Sequence, residues 1–450
     1  MVRRKQTHGM NKEDATMKKN IISLAALLIA SATFVACSSD DNIIEEQPVQ
    51  PTEQVYTMTV NAQKGGDTAD SRATTRALSL SGSTLNATWT AGDAVEVWTS
   101  DGTTTKYGTL TAETSGASTK LKGTLSSLPT DGESLLLKYL SPAYATQDGT
   151  LTGSATSIDK VCDYAEATVT VTDASTPSVT TTDANFVNQQ AIVKFTLKNK
   201  ADDEALSVNK LFVTAGGTTC EVTPSGATSE LYVAVPAIAS GRVTLTALSG
   251  STYYDYLKTG VTFAQSQYYA ITASLTQVKN IDERPAIVGR VVAANGKMYA
   301  SVESAANAGT TAVAVIAQVD KHVGWEDCVA IAISDESGMM IWSAANSACE
   351  NKTPKINGAT WTLPTVEYWQ QMFAANGGNE NSCTGLNATI TKAGGTPLRT
   401  DWYYWTDTDG TNNDSKRKIL LESNGTVDYF ITGSDKSSQL LVRAFLWWNN

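Results

Sequence analysis

From Val55 to about residue 280 the chain is a succession of short runs rich in β-branched and aromatic residues. Turn residues close the runs, and hardly a helical period lies among them. Val55–Val60 is the first run, and the loop Lys64 to Arg76 follows it. Ala94–Thr99 ends before Asp101-Gly102, and Lys120–Leu125 leads into Pro129-Thr130-Asp131-Gly132. Ser134–Leu140 stops at Pro142, and Gln147-Asp148-Gly149-Thr150 is a further turn. In Ala191–Leu197, Ile192, Lys194 and Thr196 alternate with Val193, Phe195 and Leu197, the period of a strand with two distinct faces. Runs of this length and spacing predict a β-sandwich over residues 55–200. Lys210–Thr214, Leu231–Val235, Arg242–Leu248 and Tyr268–Leu275 predict a second, smaller one over 201–280.

Beyond Asp282-Glu283-Arg284-Pro285 the texture changes. Ile287–Val292, Thr311–Val319 and Val329–Ser334 are apolar strands, and Gln439–Leu446 is a closing strand. Ser301 caps a helix that Gly309 stops. Thr365 caps another, with Val366, Trp369, Met372 and Phe373 on one stripe and Gly377-Gly378 at its end. Residues 281–450 therefore predict an α+β unit, and tryptophan is concentrated there.

The N-terminal region sets the address. Lys18 and Lys19 precede the apolar run Ile21–Val35, then small Ala36 and Cys37. The run is too short for a comfortable membrane span and reads as a cleaved signal peptide. Phe34-Val35-Ala36-Cys37 resembles a bacterial lipobox, which places the lipid on Cys37 and removes residues 1–36. Several acyl chains on one cysteine, palmitate among them, anchor far more firmly than one. An ordinary secretory signal with an incidental cysteine is the alternative. Met17 reads as the true start, because Met1–Thr16 is polar. Residues 37–54 are an acidic tether. Its Ser39-Asp40-Asp41 resembles the tag of Bacteroidetes lipoproteins sent to the cell surface.

Composition excludes several functions. A net charge of −11 does not suit nucleic acid, where Lys and Arg neutralise phosphates. The chain has 2 histidines, His8 and His322, so a His-rich metal site is excluded and any histidine-based triad passes through His322. Asp320, Glu326, Asp327 and Cys328 lie near it, but nothing activates the thiol at a recognisable spacing. No catalytic residue is assigned. Besides Cys37, the cysteines Cys162, Cys220, Cys328, Cys349 and Cys383 show no C-x-x-C spacing. Cys349 and Cys383 either pair or are buried apolar thiols.

Residues 55–278 resemble the Bacteroidales fimbrillins, the type V pilus subunits. The resemblance is carried by Trp89-Thr90-Ala91-Gly92-Asp93, Tyr144–Thr150, Asn188–Phe195, Leu231–Pro236 and Tyr268–Ile271. It implies two transthyretin-like β-sandwich domains exported as an outer-membrane lipoprotein and built into a fimbrium with other fimbrillin subunits. It also implies that an arginine-specific protease cuts after the first strand, at Arg72 or Arg76. The departing strand leaves a groove that another subunit's strand fills by β-augmentation.

Residues 281–450 resemble C-type-lectin-like domains related to the sulfatase-modifying-factor fold. The carriers are Leu363-Pro364-Thr365 to Trp369, Tyr404-Trp405-Thr406 and Val442-Arg443-Ala444. Thr362 stands where that family has arginine, and Tyr368 where it has glutamate. Its enzymes use active-site cysteines with no counterpart here, so no enzyme activity is expected. The resemblance implies a glycan ligand. Aromatic faces stack on sugars, which makes Trp402 and Tyr404 candidates. Asp407, Asp409, Asn412 and Asp414 are the polar candidates. Asp407, Asp409 and Asp414 suit calcium by donor type, but the twelfth residue from Asp407 is Lys418, not a bidentate glutamate. A polar surface turn is the favoured reading of that loop. The whole reads as a fimbrial tip adhesin. The alternatives are a monomeric glycan-binding surface lipoprotein and, behind it, an envelope enzyme.

Overall fold

The computed structural model describes residues 55–64, 78–81, 84–140, 143–175, 177–283, 286–322, 325–412 and 414–448. Cys37, Arg72 and Arg76 lie outside them. Strand makes up 51% and helix 12%, so the protein is mainly β. Four of the five described helices lie beyond residue 300.

The first sheet has eight strands and closes on itself through Tyr56–Lys64. That strand pairs antiparallel with Ser118–Leu125, from Tyr56↔Leu125 to Gln63↔Ser118. On its other side it runs parallel to Ser178–Thr181 and then to Ala184–Asn188. The ring is completed by Lys106–Ala112, Ala94–Thr99, Ser134–Tyr139 and Ala165–Asp173. Met58, Val60 and Ala62 point inward with Val95, Leu121 and Leu137 into one apolar cluster. Trp89 caps it, edge-on to Tyr139 at 5.5 Å and to Phe186 at 5.1 Å. The Trp89–Asp93 motif is a turn. Gly92 takes φ +94°, open to glycine, and Asp93 accepts a hydrogen bond from the Thr90 amide at 3.0 Å.

The second sheet starts earlier in the chain than its sequence suggests. Its order is Glu230–Pro236, Gln190–Asn199, Tyr268–Gln277, Thr252–Phe263, Ile238–Ser249, Lys210–Ala215, Thr218–Val222, Thr146–Gln147. Gln190–Asn199 was expected in the first sandwich. It pairs instead with Glu230–Pro236 and, in parallel, with Tyr268–Gln277. The chain crosses between sheets at Asn188–Gln190, not at residue 200. No composition shift marks that crossing, because both flanks are strand. The Gln147 turn also joins this sheet. Its amide donates to Ala234 O at 2.9 Å and accepts from Ala234 N at 2.8 Å, standing in for a backbone partner.

Beyond residue 280 a seven-stranded sheet forms from Lys279–Asn280, Lys297–Tyr299, Val291–Ala293, Ala312–His322, Trp325–Ala332, Phe445–Trp448 and Ala359–Thr362. Both expected caps form. The Ser301 hydroxyl accepts from Ser304 N ahead of Val302–Asn307, and that of Thr365 accepts from Tyr368 N ahead of Val366–Ala375. The closing strand is Phe445–Trp448, later than the expected 439–446. Leu440 and Leu441 make only isolated bridges, while Arg443 turns its whole side chain inward. Cys349 and Cys383 sit in different apolar clusters and are buried, unbridged thiols, so the pairing alternative falls. Burial pushes the thiols of Cys162, Cys220 and Cys349 up to about 12. A thiol reagent at pH 8 is therefore expected to leave Cys162, Cys220, Cys349 and Cys383 unmodified until denaturant is added. Peptide mapping of the labelled sites checks this.

The last unit is fastened to the second sheet. The buried Asp255 carboxylate accepts from the Arg290 guanidinium and, at 2.6 Å, from Ala300 N. Arg242 pairs with Glu303 and donates to Lys392 O at 2.8 Å.

Candidate functional site

Tyr56–Lys64 is the element whose setting bears most on function. Both of its edges carry a ladder, so it is an interior strand. Met58, Val60, Ala62 and Lys64 point inward, and Thr59, Asn61 and Gln63 face solvent. Such alternation lets a strand sit in a one-sided groove. The expected strand stopped at Val60, because Asn61-Ala62-Gln63-Lys64 looks polar. The signal was there, since every second residue continues the inward face.

Lys64 ends that face and is 1% exposed. Its ammonium lies 2.8 Å from Asp163 Oδ2, 3.3 Å from the centre of the Tyr139 ring and 5.0 Å from that of Trp89. Asp163 is also buried, and its Oδ1 has no hydrogen-bond partner. Trp89 Nε1 and both amide atoms of Asn188 are likewise without partners. Asn188 is the next inward residue after Phe186, the register partner of Lys64. The inner end of the strand's seat is thus a polar pocket under two aromatic rings.

The C-terminal candidates separate. Trp402 is half-buried, with the Arg399 guanidinium 4.3 Å from its ring. Tyr404 is fully buried and is no stacking surface. Its hydroxyl donates to Asp335 Oδ2 at 3.0 Å and accepts from Arg399 N at 2.9 Å. Burial, then the Asp335 carboxylate, pushes this phenol well above its usual range. Trp405, on the opposite face of the same strand, is buried too and donates to Met340 O at 2.7 Å. The three-stranded sheet of Trp402–Asp409, Ser415–Leu421 and Val427–Asp435 lies between two apolar clusters. Tyr404 and Trp405 are thus buried on opposite faces, while Trp402 and Tyr403 are half-buried.

The calcium alternative to a polar turn finds its carboxylates already engaged. The Lys416 ammonium lies 3.0 Å from both Asp407 Oδ1 and Asp409 Oδ1, where a cation would sit. The Lys416 hydrogen bond holds the Asp409 carboxyl below its usual range. Asn412 Oδ1 accepts from Asp414 N at 3.2 Å, within the turn itself. Among the described residues no group of three His, Cys, Asp or Glu is placed to hold a metal. Calorimetric titration of the full chain with calcium is expected to give no binding heat. A saturable exotherm lost in Asp407→Asn would restore the metal site.

Arg443 organises the interior around it, a role that its place in the Val442-Arg443-Ala444 motif does not reveal. It is 0% exposed. Its Nε donates to Asp335 Oδ1 at 2.6 Å, and its other nitrogens donate to the carbonyls of Ala332, Thr396 and Pro397. Asp335 therefore joins Arg443 to Tyr404.

No protein-family model matches the chain. A stretch of 84 residues is 31% identical to the protein psiM of Dictyostelium discoideum, covering 17% of this chain and 12% of that protein. Among solved structures, the chain is similar to a fimbrial assembly protein from Parabacteroides distasonis. The identity is 16%, the TM-score 0.26, and the coverage 51% of this chain and 97% of that one. It is similar to a putative cell adhesion protein from Bacteroides uniformis at 15% identity and TM-score 0.27, over 51% of this chain and 98% of that one. The shaft pilin SpaA of Lactobacillus rhamnosus follows at 12% identity and TM-score 0.22, over 50% and 97%.

Proposed function

We propose that the protein is a subunit of a surface fibre. It is delivered to the outer membrane as a lipoprotein on Cys37 and built in after its first strand is exchanged. The carrying observation is the seat of Tyr56–Lys64, an interior strand with an apolar inward face, hydrogen-bonded along both edges. Its loss exposes two edges and an apolar slot at once, the setting in which an added strand gains most. Cleavage at Arg72 or Arg76 releases the strand together with the lipid.

The C-terminal unit serves as the tip of the fibre and binds a glycan. Two features support this placement. Phe445–Trp448 lies between Trp325–Ala332 and Ala359–Thr362, so that strand is engaged in its own sheet. The unit is also tied to the second sheet by the Arg290 pair with buried Asp255 and by the half-buried Arg242–Glu303 pair, rather than by a bare linker. Trp402 remains the aromatic candidate for sugar contact. Asp407 and Asp409 are engaged with Lys416, and the Asn412–Asp414 turn is left to contribute polar contacts. The second reading is an uncut, monomeric glycan-binding lipoprotein. The buried Lys64–Asp163 pair favours it, because it resists the strand's departure.

N-terminal sequencing of protein recovered from assembled fibres separates the two. The proposal expects chains beginning at Ala73 or Ala77. Fibres whose subunits keep the lipidated N-terminus would contradict it.

A further inference from the structure

The inward face of the first strand reads Met58, Val60, Ala62, Lys64. Three positions are apolar and one is a buried cation. Asp163, its partner, precedes the strand Ala165–Asp173 and stays behind when Tyr56–Lys64 leaves. It is then a carboxylate beneath the rings of Tyr139 and Trp89, close to polar atoms that already lack partners. An uncompensated buried charge is strongly unfavourable. We propose that Asp163 selects the incoming strand by requiring a basic residue at its fourth inward position. The inference rests on the reading that the first strand is replaced.

The pair also solves a problem of register. A slip of one residue turns every side chain to the wrong face and is rejected by the apolar slot. A slip of two keeps all faces correct, so alternation alone does not distinguish it. Only a residue unlike the others on that face does. Lys64 is that residue, and Asp163 is placed to read it. The matching segment is extended and runs parallel to Ser178–Thr181 and Ala184–Asn188, as Tyr56–Lys64 does. It carries apolar residues at its first and third positions, a small one at the fifth, and lysine at the seventh. A neutral residue at the seventh position leaves Asp163 stranded. An acidic one adds like-charge repulsion.

The test uses the full chain, cut with an arginine-specific protease so that the first strand is held without a covalent bond. Fluorescent peptides covering residues 54–66 are offered in excess, and uptake is read by anisotropy. One has the native sequence. A second carries Lys64→Met. A third carries Ala62→Lys with Lys64→Ala, which moves the charge by two residues. The native peptide is expected to bind, and the other two about a hundredfold more weakly or worse. With the Asp163→Asn chain the preference for lysine should shrink to about tenfold or less. The wild-type arm decides alone if that variant does not fold. Uptake of the Lys64→Met peptide within threefold of native by the wild-type chain overturns the inference while leaving strand replacement intact. Failure of the cut chain to take up even the native peptide overturns strand replacement, and the inference with it.

Discussion

Lys64→Met in the uncut chain is expected to cost about 3–5 kcal/mol of folding stability, read as a lowered urea midpoint. The size follows from what remains. Methionine fills the slot beside Met58, Val60 and Ala62, so packing is kept, but Asp163 is left charged and almost wholly buried. Lys64→Met combined with Asp163→Leu is expected to recover most of the loss, because removing both charges removes the desolvation cost along with the attraction. A double variant as unstable as the single one would show that Asp163 is solvated once the lysine is gone. Asp163 would then be unable to discriminate between strands.

Arg443→Met is expected to be of similar size, about 3–5 kcal/mol, and to act in a different part of the molecule. Arg443 ties the carbonyls of Ala332, Thr396 and Pro397 to the Asp335 carboxylate. Methionine leaves Asp335 without its cation and those carbonyls without donors. Asp335→Asn should be milder. It removes the charge but keeps one oxygen to accept from Arg443 Nε, while the Tyr404 hydroxyl loses its acceptor. Because the two sites belong to separate apolar clusters, Lys64→Met and Arg443→Met should add. Urea unfolding of the four chains measures this directly, and a marked departure from additivity would show that the two regions unfold as one.

Much of this architecture is legible in the residues. The strands were readable because alternation and turn chemistry agree, as at Ala94–Thr99, where the expected and observed bounds coincide. Ser301 and Thr365 marked helix starts because each has a small polar oxygen ahead of an apolar stripe. Other features turn on contacts that no local pattern carries. Gln190–Asn199 looks like a continuation of the first sandwich, and its partners at Glu230–Pro236 and Tyr268–Gln277 are remote in sequence. Lys64 reads as the first residue of a loop until Asp163 and two aromatic rings are found around it. Tyr404 reads as a sugar-stacking candidate beside Trp402, because a three-stranded sheet covered on both faces reads no differently from one covered on a single face. The acidic loop reads as a polar turn with calcium as an alternative, and the cation beside Asp407 and Asp409 is Lys416 from the neighbouring strand.

The proposed strand exchange requires Tyr56–Lys64 to leave its seat before the subunit enters a fibre. Thr59 and Lys122 are register partners, and both are exposed. Thr59→Cys with Lys122→Cys therefore places two thiols across the ladder, where a disulfide staples the strand in place. The measurement is incorporation of this double variant into fibres, oxidised and then reduced. The stapled subunit is expected to be excluded, and reduction to restore it. Equal incorporation of the stapled and reduced forms would contradict the exchange.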